Sequence, residues 1–150
     1  MKSLYKTDFY AWTQQQIHLL KQQAWQSLDV QNLLEELADL GRRERQELRN
    51  RLSVLLGHLL KWQFQPQQRG NSWLATIREQ REQLVLLLDE NPSLKPYLSE
   101  ALSIAYKLGL NLAVRETDLP YETFPSDCPY SLEATLDDAF LPDSWLESDA

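Results

Sequence analysis

The sequence predicts an all-α fold, an antiparallel bundle of about four principal helices with a long second helix and a docked acidic C-terminal segment. Three observations predict it. Between residues 32 and 62, Leu33, Leu37, Leu40, Leu48, Leu52, Leu55 and Leu59 recur at spacings of three and four or multiples of them, the period of one buried helical face. No stretch alternates in period two with β-branched enrichment, so no sheet is expected. Pro66, Gly70 and Pro92 fall between periodic stretches, where they make short connections and hence antiparallel neighbours.

Taken in order, the first helix is expected to begin after Thr7, with Asp8 in its first turn. It should bury Phe9, Trp12, Gln16, Leu19 and Leu20, with Ile17 at the margin. The pattern lapses over residues 24–28, and Asp29 offers the N-cap of the long helix. Unbroken, residues 32–62 run roughly 45 Å. The stripe has one polar interruption, Glu44, and one soft point, Gly41, which weakens a helix interior by roughly 0.5–1 kcal/mol against Ala. Pro66 ends it. Ser72 is expected to cap a third helix reaching about Glu90 on Trp73, Ile77, Leu84 and Leu88. Gln80 and Arg81 stand there where a further leucine is expected. A turn at Asn91, Pro92 and Ser93 leads to a fourth helix, from between Leu94 and Pro96 to about Glu116. Glu44 and Arg81, both pointing inward, each need a partner, because an unpaired buried charge is very unfavourable. For Glu44 an arginine or a helix N-terminus is expected.

Residues 1–150 read as a single domain, a helical body over 4–116 and a proline-rich acidic segment over 117–150. The formal net charge is −7, with fifteen Lys and Arg against twenty-two Asp and Glu. All the bases lie between Lys2 and Arg115, so the body is slightly basic while nine acids follow Thr117. Such a segment either solvates the protein or docks on a basic surface, in cis or on a partner. Phe124, Tyr130, Leu136, Phe140, Trp145 and Leu146 are too apolar for a free tail. Burial of Phe124, Tyr130, Leu136 and Phe140 is expected, with two helical turns from Ser131 and a mobile end over 144–150. No apolar run approaches the ~20 residues of a bilayer span, no signal-peptide segment opens the chain, and Cys128 is the sole cysteine. A cytoplasmic protein away from membranes is the expectation.

Several strings occur together in order. They begin with Asp8 to Trp12 (DFYAW), Asn32 with Glu35 and Glu36, Gly41 and Arg42 with Glu44, and His58 to Trp62 (HLLKW). Ser72-Trp73, Thr76-Ile77, Gln80-Arg81, Pro92 to Leu94 and Ala105-Tyr106 follow, and the set closes with Phe124-Pro125 and Cys128 to Tyr130. On these the chain resembles the bacterial domain-of-unknown-function family twenty-nine, found largely in photosynthetic bacteria. The likeness covers about residues 4–142, departing at Arg43, where a small polar residue is expected. The resemblance implies a compact all-helical protein and brings no activity, cofactor or catalytic residue.

Chemistry-bearing patterns are sparse. A dinuclear metal site in a helix bundle uses a Glu-x-x-His pair, but Gln15 precedes His18 at that spacing and Leu55 precedes His58. Glu44 and His58 on one helix stand roughly 21 Å apart, so no metal site is expected. Cys128 lies between Asp127 and Pro129 in an acidic stretch that should raise its pKa, the reverse of nucleophile activation. It reads as a small buried residue pinning a turn. No phosphate-cradling glycine loop or G-x-S-x-G string is present, and no cofactor is expected.

The richest group surrounds the connection of the second and third helices, where Lys61, Trp62, Phe64, Arg69, Trp73, Arg78 and Arg81 interleave cations with aromatics. A hairpin centred near Gln68 sets His58 opposite Arg78 and brings Trp62 and Trp73 to similar height, where they are expected to pack near each other at one end of the bundle. Interleaving of this kind suits stacking on bases with phosphate contact. It also suits aromatics closing a bundle end beside arginine stems, the reading preferred for so slightly basic a body. The candidate interaction or polar residues are therefore Glu36, Glu44, His58, Lys61, Trp62, Trp73, Arg78 and Arg81. A non-enzymatic interaction or adaptor protein, with another protein as partner, is the expected function. A nucleic-acid factor using residues 61–81 is the alternative, and an enzyme with an acid/base pair from Glu36, Glu44 and His58 comes third. Ligand-induced thermal shifts would separate the last two from the first.

Overall fold

Short polar side chains start the first helices. In the computed structural model, which describes residues 3–143, Ser3 caps α1 (Leu4–Thr7) and Asp8 caps α2 (Phe9–Lys21), its carboxylate accepting from Ala11 N at 3.1 Å. The cap is thus Asp8 and not Thr7, whose hydroxyl is turned back onto the Ser3 carbonyl inside α1. The expectations for 144–150, Trp145 and Leu146 among them, lie outside the described residues. By its internal contacts the chain divides into two compact units, Met1–Arg43 and Glu44–Ala150. Every regular element among the described residues is helical, as the sequence predicts.

In the first unit α2 closes with Gln23 in the left-handed region at φ 56°, while Ala24 N bonds Leu19 O and Gln23 N bonds Leu20 O. These two bonds satisfy helix-end carbonyls in the pattern usually completed by glycine. Asp29 then starts α3 (Val30–Phe64), accepting from Asn32 N, as expected. The same carboxylate takes the Trp12 indole N–H at 3.0 Å, and Gln16 accepts from Asp29 N at 2.8 Å. Those bonds tie α2 to the start of α3. Trp12 and Gln16 are the only buried residues of this unit among those described. Phe9, Leu20, Leu37 and Leu40, expected inside, are exposed at 49%, 43%, 64% and 52%. A pair of helices covers one side of each stripe and leaves the other bare.

α3 is 35 residues long and passes through Gly41 as helix. From Leu48 onward its stripe is the core of the second unit, where Leu48, Leu52, Leu55, Leu56, Leu59 and Leu60 are fully buried. Gly70 precedes α4 (Asn71–Glu90) without a side-chain cap, so Ser72 lies inside the helix rather than capping it. Residues Pro92–Tyr97 form a 3₁₀ turn, and α5 (Leu98–Thr117) begins only after Pro96, later than expected. Pro96 removes a donor and disfavours helical geometry at Lys95.

Cross-contacts give the directions. Arg51 bonds Gln80 and Asn91 bonds Glu44, so α4 runs antiparallel to the second half of α3. Arg49 bonds Tyr97 while Lys61 pairs with Glu116, so α5 runs parallel to it. Gly57 and Gly109 let α3 and α5 approach backbone to backbone. A Cβ on Gly109 would sit 2.8 Å from Ser53 O, and one on Gly57 3.0 Å from Gly109 O. The C-terminal segment packs on this unit as expected. Phe124 and Tyr130 are buried, Leu136 and Phe140 half-buried, and the short α6 (Leu132–Leu136) is capped by Ser131.

The two kinds of glycine give a paired prediction. Nothing lies within 4 Å of a Cβ on Gly41, so Gly41→Ala should raise stability by roughly 0.5–1 kcal/mol. Gly109→Ala must push two backbones apart and should lose about 1–3 kcal/mol. Urea denaturation of both variants checks the contrast, and equal effects would contradict the close approach.

Candidate functional site

Two clusters in the second unit hold His58, Lys61, Trp73 and Arg81, half of the residues singled out from the sequence. At the end of α3, the helical period turns Lys61 inward beneath α4 and α5. Its side chain is only 5% exposed, its Nζ lies 3.2 Å from Glu116, and it sits 4.5 Å from the Trp73 ring centroid. The desolvated ammonium is thus met by a carboxylate and by the negative face of an indole. One turn earlier His58 is buried, with Nδ1 2.9 Å from Val54 O, a geometry that places the ring proton on Nδ1. Burial is the main cause that pulls the His58 pKa below its ordinary value, and the Lys61 charge adds to it. The bond to Val54 and the Glu116 carboxylate act in the opposite sense.

Trp62 does not join this group. Arg69 donates to the Trp62 carbonyl at 2.7 Å and spreads its guanidinium 4.9 Å above the indole centroid. Among the described residues no ring contact joins Trp62 to Trp73; each indole carries its own cation. The reason is register. The pairs Arg51–Gln80 and Lys61–Trp73 centre the hairpin near Pro66 and Gln67, slightly before Gln68. Arg78, expected opposite His58, is instead 83% exposed and paired with Glu82 on its own helix.

The second cluster is where the C-terminal segment meets α4. Arg81 is 2% exposed, and its guanidinium donates to Thr135 O at 2.9 Å and Ala134 O at 3.3 Å. Those carbonyls lie at the end of α6, the electronegative pole of a helix, where Ala134 O also accepts from Asp137 N. Burial lowers the Arg81 pKa while Asp138 and Asp137 raise it. Tyr130 donates to Gln63, Tyr106 donates to Pro125 O, and Phe124 meets Phe64 edge-on at 5.2 Å. Burial pushes the Tyr106 hydroxyl up to about 12 and raises Tyr130 and the Cys128 thiol. Among the described residues no acid of the segment forms an ion pair with a base of the body. The segment docks through aromatics and backbone carbonyls. Beside it opens a cleft of about 420 Å³ whose lining includes Arg78, Arg81, Glu82 and Asp138.

The two remaining acids stand elsewhere. Glu44 accepts from the Asn91 amide at 3.4 Å, so its partner is neither an arginine nor a helix N-terminus. Two arginines that follow it on α3 find other partners: Arg45 lies over the Tyr97 ring and Arg49 bonds the Tyr97 hydroxyl. Glu36 belongs to the first unit, where Tyr5 donates to it and is pushed up to about 12 chiefly by that bond. It lines an apolar groove of about 360 Å³ with Phe9, Trp12, Leu37, Leu40 and Arg43. No group of three or more potential metal ligands gathers among the described residues, and no helix there is long and apolar enough to cross a membrane.

Sequence reasoning missed Glu116, Gln63 and Asn91. Each is an ordinary polar residue whose role depends on a cross-helix register that no local pattern encodes. The exposed apolar face of the first unit carried a readable signal, a second set of large side chains (Tyr10, Leu34) beside the predicted stripe.

Compared with known proteins, residues 4–141 match the family model described as Domain of unknown function DUF29. No curated protein and no solved structure matches the chain.

His58 gives a pH dependence whose sign is fixed. The unfolded chain takes up a proton near the ordinary value of 6.5, and the folded chain resists it. Stability is therefore intact above that value and falls as pH drops through it toward the depressed folded value. The urea midpoint should fall between pH 7.5 and 5.5, and His58→Gln should flatten that fall; an unchanged slope in the variant would contradict a buried neutral imidazole.

Proposed function

The chain belongs to the DUF29 family, and because that description carries no activity we propose from the geometry that it is a non-enzymatic interaction protein of the bacterial cytoplasm, with another protein as partner. One observation carries this reading: the Met1–Arg43 unit leaves a set of large apolar side chains in solvent around its groove, led by Leu37 and Leu40 at 64% and 52% exposure. Exposed apolar surface gathered in one place marks protein contact more often than chemistry.

The other classes find less support. An acid/base pair from Glu36, Glu44 and His58 would need these groups within reach of one substrate. They bond instead to Tyr5, Asn91 and Val54 respectively. Phosphate contact by the hairpin would need free cations, and Lys61 and Arg81 are buried with partners while Arg78 is held by Glu82. The acids after Thr117 add a negative surface that repels nucleic acid.

Leu37→Glu and Leu40→Glu place charges on residues already in solvent, so helix content should not change. Full-length chain and this double variant, each immobilised, are exposed to extract of the source cell and the captured proteins quantified. The wild type should retain specific proteins that the variant loses at least tenfold, and neither should bind an oligonucleotide in a salt-dependent way. Identical captured sets, or salt-sensitive oligonucleotide binding, would overturn the reading.

A further inference from the structure

We infer that the apolar face of the Met1–Arg43 unit is covered by the same face of a second copy of this chain, the two copies running antiparallel about a two-fold axis. The inference rests on the interaction reading and names its partner.

The first argument is the missing core. Only Trp12 and Gln16 are buried among the described residues of this unit, whereas Phe9, Ile17, Leu20, Leu37 and Leu40 border its groove and are exposed. Units of about 40 residues or fewer seldom hold together without a disulfide, a metal or association. Two helices with one bare face become a four-helix arrangement when two copies meet, with each copy supplying the layer the other lacks.

The second argument is charge. Glu36 and Arg43 both border the groove and stand seven residues apart on α3, two turns along one face. Among the described residues Arg43 has no hydrogen bond or ion pair, while its neighbour Arg42 is engaged by Asp39. Parallel copies would set like charges against each other. Antiparallel copies related by a two-fold between these residues bring each Arg43 to the other copy's Glu36 and place Leu37 and Leu40 beside the axis. The face is therefore self-complementary, the condition for an isologous dimer. Helices of about 20 Å lying side by side offer only roughly 400 Å² of face per copy. That is below the usual ~800 Å² per partner, so the dimer is a weak one that dissociates on dilution.

Sedimentation equilibrium of the full chain over about 1–200 µM tests it. The mass should rise from 17.6 kDa toward twice that value as concentration increases. Leu37→Glu should abolish the rise, and Arg43→Glu should weaken association at least tenfold. Adding Glu36→Arg to Arg43→Glu should restore it, with circular dichroism confirming unchanged helix content throughout. A wild-type chain that stays monomeric overturns the inference, as does a dimer indifferent to both single variants. If the monomeric wild type still captures proteins that the Leu37→Glu, Leu40→Glu variant loses, only self-pairing is refuted. If it captures none, the interaction reading falls as well.

Discussion

Arg81 is a buried charge that no carboxylate pairs with among the described residues, and what meets it is the end of a five-residue helix. Each side of that contact is untenable alone. A desolvated guanidinium without acceptors costs several kcal/mol. A helix as short as α6 does not persist in water, because its nucleation is unfavourable and few internal bonds offset it. Together they satisfy one another. Arg81 donates to two terminal carbonyls, and Asp137 and Asp138 keep the cation charged. Asp138 and Asp137 therefore act on Arg81 through nearby field rather than through ion pairs. Tyr130 and Tyr106 extend the attachment by pairing a buried ring with a hydroxyl bonded to Gln63 and Pro125.

The rest of this unit follows from how closely its helices approach. With no Cβ at Gly57 or Gly109, α3 and α5 meet backbone against backbone and lie parallel. That register carries Glu116 to Lys61 at one end and Tyr97 to Arg49 at the other. Lys61 is buried because α4 lays Trp73 across it, and His58 is kept neutral partly by the Lys61 charge. His58, Lys61 and Trp73 are thus engaged in closing the bundle. Exposed apolar surface lies in the other unit, where two helices share too little core to cover their own leucines.

The leucine period made the long helix legible, and from Leu48 to Leu59 it also named the buried face. The same period from Leu33 to Leu40 named a face without saying what covers it, and there the side chains are in solvent. Periodicity reports orientation about one axis and carries no information about a neighbour. Arg81 illustrates the limit. Its inward direction could be read, but its partners are backbone atoms more than fifty residues away on a helix of five residues. Trp62 and Trp73 were recognisable as aromatics amid cations. Which cation each takes depended on the short turn Pro66–Gln68, which shifts the hairpin centre. Gly57 and Gly109 carried a signal that was overlooked, a glycine inside a leucine-rich helix against its own propensity.

Native-state hydrogen exchange at the amides of Thr135 and Asp137 tests the central claim, that the C-terminal segment is held as part of the second unit's fold. Their donors bond Ser131 O and Ala134 O within a helix too short to protect them unaided. Under increasing urea the account predicts that both exchange only with the global unfolding seen at α4 core amides such as that of Leu84. Exchange at free-peptide rates, independent of urea, would contradict it.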